Sequence, residues 1–399
     1  MTRPLPYGRQ VIDDDDIAAV VAALKSDTLT TGPAVTAFEA ALGRVAAAPQ
    51  AVVCSSGTAA LHLAALALDL GPGDAVVVPS LTFLATANAA RYVGAEVVFA
   101  DVDPATGLMG PQHLEEALTR CGGLRPRAVF PVHLNGQCVH MAALAETARQ
   151  HGLAIVEDSC HALGSWQELS GGWQPTGACG ASDMAVFSFH PVKTVAMGEG
   201  GAITTRDARL AARLRSLRSH GMERDPTRFI QAGEAFDSDG CPNPWYYEMA
   251  APGFNYRASD ISCALGASQL GKLDRFVARR AELVAAYDAA LAPLAPRVTP
   301  VHRVGHCQPA WHIQVALIDF AAGDVSRAQL MRALAQREIF TQVHYLPVHR
   351  QPYYRQRYPD VNLPGADAYY DRCLTLPLFV GMTGDEVGRV VEAVGEILG

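Results

Sequence analysis

Seven short apolar runs constrain this chain more than any other feature: AVVC (51–54), AVVVP (75–79), EVVFA (96–100), RAVFPV (127–132), LAIVED (153–158), MAVFSF (184–189) and AITT (202–205). They are rich in Val, Ile and Phe and mostly continuous rather than alternating, the pattern of strands covered on both faces. Helical patterns fill 58–70, 112–119 and 141–151, and GPGD (71–74) and Gly94 punctuate the transitions. Strand, helix and strand in repetition predict an α/β domain. Its sheet should be mostly parallel, with helices on both faces.

The character changes near Ser259. One helical stretch is expected from 260 to about 291, followed by WHIQVALIDF (311–320), RAQLMRALAQR (327–337), FTQVHYLPVH (340–349) and a terminal helix from about Asp385. That set reads as a smaller α+β domain. A chain of 399 residues favours two packed bodies, here divided as 1–255 and 256–399. The Asp-, Gly- and Pro-rich stretch 223–244 reads as a long surface loop.

Composition narrows the function classes. Hydrophobic residues at 49% and charged residues at 18% describe a packed globular chain. A net charge of −8 offers no basic field for nucleic acid or a membrane surface. No apolar run spans a bilayer, LHLAALALDL (61–70) being too short, and MTRPLPYGRQVIDDDD lacks a signal-peptide core. Nine cysteines without C-x-x-C spacing fit buried, reduced thiols and a cytoplasmic setting. The scattered histidines show no metal-ligand spacing, so no metal is expected. DDDD (13–16) reads as the acidic opening of a helix. GASQLGKL (266–273) fails the P-loop pattern at its last residue.

Three segments carry chemistry. In SSGTAALH (55–62) a strand runs through a Ser-Ser-Gly turn into a helix, so backbone amides and Thr58 face an anion; an ordinary N-cap reads the same way. In VEDSCHALG (156–164) Asp158 ends a buried strand, where ligands of α/β sheets sit, and can pair with a protonated ring nitrogen. His161 follows it. Taken singly, Asp158 could be a helix cap and His161 a core histidine. In FSFHPVKTVAMGEGGAITT (187–205) Lys193 stands among apolar and Gly-rich neighbours, and the only other lysines are Lys25 and Lys272. Desolvation lowers a lysine's pKa and makes its amine nucleophilic.

In this order the three segments resemble the DegT/DnrJ/StrS family of sugar aminotransferases, fold type I enzymes dependent on pyridoxal phosphate (PLP). LTTGPAVTAFE (29–39), PSLTFLATANA (79–89), LRSHGM (217–222), GFNYRASDISCALGASQLGKLD (253–274) and QVHYLPVHRQPYY (342–354) extend the resemblance over nearly the whole chain. It implies that Lys193 binds PLP covalently and acts as the catalytic base, that Asp158 pairs with the pyridine nitrogen and that His161 lies by the phenolic oxygen. Phe83 would stack on the ring, Thr58, Ala59 and Ser188 would hold the phosphate, and Asn255 would reach it from the neighbouring subunit of a homodimer with shared sites. Thr31, Gly32, Arg257, Tyr345 and His349 would line the sugar-nucleotide site.

The resemblance also implies the reaction. L-Glutamate gives its amino group, leaving 2-oxoglutarate and pyridoxamine phosphate (PMP), and a keto-sugar receives it. Residues 7–33, 244–261 and 342–354 look most like members serving pseudaminic-acid biosynthesis, although Pro252 departs from their pattern. For those the acceptor is the C4 keto group of a UDP-linked 4-keto-6-deoxy-N-acetylhexosamine, and the product is UDP-4-amino-4,6-dideoxy-N-acetyl-β-L-altrosamine. Another stereoisomer, keto position or carrier (dTDP, GDP) is the alternative. A sugar dehydratase of the family would carry histidine at position 193. A non-catalytic PLP-binding regulator would be expected to have lost Lys193 or Asp158.

Overall fold

The computed structural model describes residues 3–399. All seven apolar runs are strands of one sheet, in the spatial order Gln50–Cys54, Gly201–Thr205, Met184–Ser188, Ala154–Asp158, Arg125–Val129, Asp74–Pro79, Glu96–Ala100. Five of them pair in parallel, from Met184–Ser188 across to Glu96–Ala100. Gly201–Thr205 runs antiparallel to both its neighbours. The connection 189–200 contains no helix, and a parallel return would need a crossover of that kind. The loop that carries Lys193 is therefore an open return at the sheet's edge of chemistry.

The expected helices form as Gly57–Ala67, Pro111–Leu118 and Met141–Gln150. The first stops short of Leu70, and Asp69 turns into the left-handed region at φ 53°. Asp13 caps the helix Asp14–Leu24, so the acidic run does open a helix. Its fourth member, Asp16, is fully buried and accepts bonds from Ser268 and Gln269.

Two expectations need correction. The stretch 260–291 is two helices, Asp260–Leu270 and Leu273–Leu291. The first packs on Asp14–Leu24 and Pro33–Val45, while Leu283, Tyr287 and Leu291 of the second enter a separate C-terminal core. Apolar periodicity continues through the break because each helix has its own buried face. The loop 223–244 holds a short helix, Ala232–Ala235, and ends near a two-residue ladder of Met222–Glu223 with Glu248–Met249. It is nonetheless strongly exposed at Ile230, as is Trp245 just beyond its end.

The C-terminal core also contains a sheet of Val298–Pro300, Gln314–Ile318 and Cys373–Leu376 and the helix Gly384–Leu398. Leu5 belongs to it as well, bridged to Ile339. The N-terminus thus crosses to the far body, and Asp260–Leu270 crosses back to the near one. The nine cysteines are unpaired. Among the described residues no helix is long and apolar enough to cross a membrane.

Candidate active site

A cavity of about 750 Å³ opens beyond the C-terminal ends of the parallel strands, lined by Asp158, Ser188 and Lys193 together with the turn 55–58. Strand ends and helix starts converge there because each strand passes its chain onward at that edge.

The helix Gly57–Ala67 presents its N-terminus to the cavity. The amides of Gly57 and Thr58 have no intrahelical acceptor, and Ser55, Ser56 and Thr58 add hydroxyls to the lining. Ala59 does not join them: its amide donates to the Ser56 hydroxyl at 3.1 Å, and its side chain lies outside the lining. An alanine at position 57 would bring its Cβ within 2.8 Å of the Ser188 Cβ. Glycine keeps this cradle open for a small anion.

Asp158 closes its strand almost fully buried. Its Oδ1 accepts the Cys160 amide at 3.1 Å, and its Oδ2 accepts the Thr86 hydroxyl at 2.7 Å. Lys193 follows on the loop 189–200, anchored by buried Val195 and Met197 and by its own amide donating to the His190 carbonyl at 2.8 Å. The side chain keeps an opening toward the cavity. Removal of bulk water lowers the pKa of its amine, against the opposing pull of Cys160 and Asp158.

His161 lies beside them, its Nε2 sharing a proton with the Tyr345 hydroxyl at 2.9 Å. Its Nδ1 is buried and has no partner. Burial, then the charge of Lys193, holds its pKa well below the usual histidine range. The ring of His312 stands 4.4 Å away. Phe83 caps the helix Leu84–Tyr92 and remains 55% exposed, facing the cavity.

Thr58, Phe83, Asp158, His161, Ser188, Lys193 and Tyr345 therefore meet in one space. The other expected residues lie outside it. Asn255 is exposed and paired through its backbone with Ser219. Thr31 is exposed at φ 60°, and the Gly32 amide donates to Asp260 at 2.9 Å. Arg257 is half-buried away from the lining. His349 is buried, with Nδ1 bonded to Ser80 at 2.7 Å. Conversely, Tyr7, Thr86, His312 and His344 line the cavity although no role in the site was expected of them. Thr82, in the turn before the helix Leu84–Tyr92, meets Thr86 of its first turn at 2.8 Å.

The contents fit PLP on observations of this chain. A buried carboxylate is held for a cationic nitrogen, a desolvated lysine is within its field, an anion cradle waits at a helix N-terminus, and a buried imidazole nitrogen lacks a partner.

Residues 10–395 match the DegT/DnrJ/EryC1/StrS aminotransferase family. The chain is 38% identical over 398 residues to SpsC of Bacillus subtilis, a spore coat polysaccharide biosynthesis protein, covering 99% of this chain and 97% of that one. Its fold superposes on Helicobacter pylori PseC, an aminotransferase of pseudoaminic acid biosynthesis, with a TM-score of 0.87, 27% identity and 99% of each chain. It superposes equally on Spr1654 of Streptococcus pneumoniae, assigned as a sugar aminotransferase and solved in a PLP form. There the TM-score is 0.86, with 27% identity and 100% of each chain. A PMP form of Spr1654 matches as well.

Proposed function

Because the chain belongs to the DegT/DnrJ/EryC1/StrS aminotransferase family, we propose that it carries the amino group of L-glutamate to the C4 keto group of a UDP-linked 4-keto-6-deoxy-N-acetylhexosamine. The product would be UDP-4-amino-4,6-dideoxy-N-acetyl-β-L-altrosamine. The observation that carries the catalytic part is the convergence of Lys193, Asp158 and the Gly57 helix terminus on one cavity. The sugar assignment is supported by the fold likeness to PseC and by the blocks 7–33, 244–261 and 342–354.

The cofactor is PLP, alternating with PMP; when bound it supplies an electron-withdrawing ring that stabilises negative charge at the substrate carbon. The chain's residues do the rest. Asp158, fixed by Thr86 and the Cys160 amide, keeps the ring nitrogen protonated. Ser188, Thr58 and the free amides at Gly57 and Thr58 receive the phosphate. Phe83 covers the ring, and His161, oriented by Tyr345, offers Nδ1 to the phenolic oxygen. The Lys193 amine holds the cofactor at rest. Once displaced and neutral, it takes a proton from the α-carbon of glutamate, and in the second half-reaction it delivers one to C4 of the sugar.

Asn255, exposed on one chain, is assigned to the phosphate in the partner subunit's site, which makes the enzyme a homodimer. Thr31, Gly32 and Arg257 are assigned to the sugar-nucleotide end of a site completed between subunits. His349 supports that region from behind through Ser80. The unpaired cysteines agree with a cytoplasmic enzyme. A second reading, another nucleotide keto-sugar, is favoured by the 38% identity to SpsC. The deciding experiment offers glutamate with a panel of UDP- and dTDP-4-keto-6-deoxy sugars and identifies products by NMR. Conversion of dTDP sugars alone would overturn the UDP assignment. A protein that neither binds PLP nor takes an amino group from glutamate would overturn the enzyme.

A further inference from the structure

Two neighbouring strand ends alternate in the same way. Val132 lines the cavity and His133, fully buried, does not; Asp158 lines the cavity and Glu157, also fully buried, does not. Backbone bonds join the two ends. The Asp158 amide donates to the Pro131 carbonyl at 2.8 Å, and the His133 amide donates to the Asp158 carbonyl at 3.0 Å. Asp158 is therefore held on its main chain by the residues on either side of Val132.

The side chains repeat the link behind the cavity. His133 Nε2 donates to Glu157 at 2.7 Å, and its Nδ1 accepts the Val139 amide at 3.1 Å. One ring thus closes the loop 134–138. Gln167 at 3.2 Å and Ser182 also donate to Glu157, so the carboxylate is completed from three segments, as a buried charge requires.

The closed loop reaches a second part of the lining. The Asn135 carbonyl accepts the His312 amide at 3.0 Å. The Gly136 carbonyl accepts the Ser165 hydroxyl at 2.7 Å, and the Ser165 oxygen accepts the Ala310 amide at 2.9 Å. A side chain at position 136 would place its Cβ 2.3 Å from the Ala310 carbonyl oxygen. His312 lines the cavity with its ring 4.4 Å from that of His161.

We propose that His133 is a positioning residue for transamination. Bonding Glu157 through one nitrogen and closing the loop at Val139 through the other, it fixes Asp158 and His312 relative to each other before the cofactor arrives. An error on the order of 1 Å in a reacting geometry costs up to about 100-fold in rate. The inference rests on the role given to Asp158 above and is independent of which sugar is the acceptor.

Two substitutions separate the nitrogens. His133→Gln sets an amide nitrogen where Nε2 stood, keeping the bond to Glu157 and losing the acceptor for Val139. His133→Asn sets an amide oxygen near the Nδ1 position, keeping the Val139 bond and losing the one to Glu157. In each, kcat of the glutamate half-reaction should fall roughly 10-fold with KM within about twofold. The Kd of the apoprotein for PLP should rise roughly 3- to 10-fold. Leu330→Ala opens a cavity in the C-terminal core and lowers stability away from this network. Its kcat should stay within about twofold of the wild type.

Hydrogen exchange of the wild-type apoprotein needs neither variant nor cofactor. The His133 and Val139 amides should exchange as slowly as those of the strand Ala154–Asp158. Fast exchange at both would mean a loop that is not preset and would overturn the proposal, whether or not the variants fold. Wild-type kcat and PLP affinity in either folded variant, or equal losses in Leu330→Ala, would overturn it as well. If the wild type takes no amino group from glutamate, the enzyme reading itself is wrong. If it does and the His133 variants match it, only this inference falls.

Discussion

Thr86 donates its hydroxyl proton to Oδ2 of Asp158 across 2.7 Å, and both groups are buried. A hydroxyl has one proton to give, so the 2.8 Å contact between Thr82 and Thr86 must run from Thr82 to Thr86. The result is a directed chain, Thr82 to Thr86 to Asp158. It aims donors at the carboxylate and keeps that group an acceptor for a protonated ring nitrogen. The partners come from different elements: Thr86 from the helix Leu84–Tyr92, Thr82 from the turn just before it and the aspartate from the strand Ala154–Asp158.

Thr86→Val keeps the shape of the side chain and removes the donor. Hydrogen bonds to charged groups contribute about 1.5–3 kcal/mol, and the Cys160 amide continues to hold Oδ1. PLP affinity should fall on the order of tenfold or more, with little change in Tm. Fluorescence titration of the apoprotein with PLP measures it, and wild-type affinity would show that Asp158 needs no such support.

Lys193→Ala should fold, bind PLP without a covalent link and lose transamination. Residual turnover near the wild-type rate would contradict the role given to this amine.

The amine of Lys193 is held below its usual range by burial, and Asp158 pulls it back up. Only the neutral amine attacks. The rate of PLP capture by the apoprotein should therefore rise with pH, with a midpoint below the ordinary lysine value of about 10.4. Asp158→Asn removes the upward pull and should move the midpoint lower still. Stopped-flow absorbance across pH tests both, and a shift upward in Asp158→Asn would reverse the electrostatic assignment.

Glu157 sits on the same strand as Asp158, fully buried, and accepts a bond from His133 at 2.7 Å. The His133 Nδ1 accepts the Val139 amide, so Nε2 carries the proton. Burial alone would raise the Glu157 pKa, but His133, Ser182 and Gln167 outweigh it and hold the carboxyl below the usual glutamate range. A lowered folded value means that the stabilisation is complete above the unfolded value of about 4.3. It is lost as pH falls through the folded value. Glu157→Gln should cost about 2 kcal/mol at pH 7, the range of hydrogen bonds to a charged group, and flatten the acid limb of stability against pH. Urea midpoints measured from about pH 7 to about pH 3 would expose an unchanged slope.

Gly57→Ala places a methyl 2.8 Å from the Ser188 Cβ, where two rigid backbone elements meet. The cradle must widen, so PLP should bind more weakly and inorganic phosphate should lose its ability to compete for the site. Equal competition by phosphate in the variant would remove the anion cradle from this turn.

The sequence by itself determined the sheet and the reacting end of the site. Continuous, short Val- and Ile-rich runs bounded by turn residues read as strands buried on both faces; Asp158 is legible because it ends such a strand, and Lys193 because it stands on the loop that leaves one. Those are short-range properties of ten or so residues. Tertiary structure alone decided that Thr86 would meet Asp158, that Tyr345 would meet His161, and that a strap from the N-terminus would bring Tyr7 to the same wall. It also turned the stretch 260–291 at Gly271 and left Ala59, Asn255 and His349 outside the cavity. These outcomes depend on how two separate cores pack against each other. Residues such as Tyr7 and His344, brought together from opposite ends of the chain, leave no periodicity or turn signal in either segment.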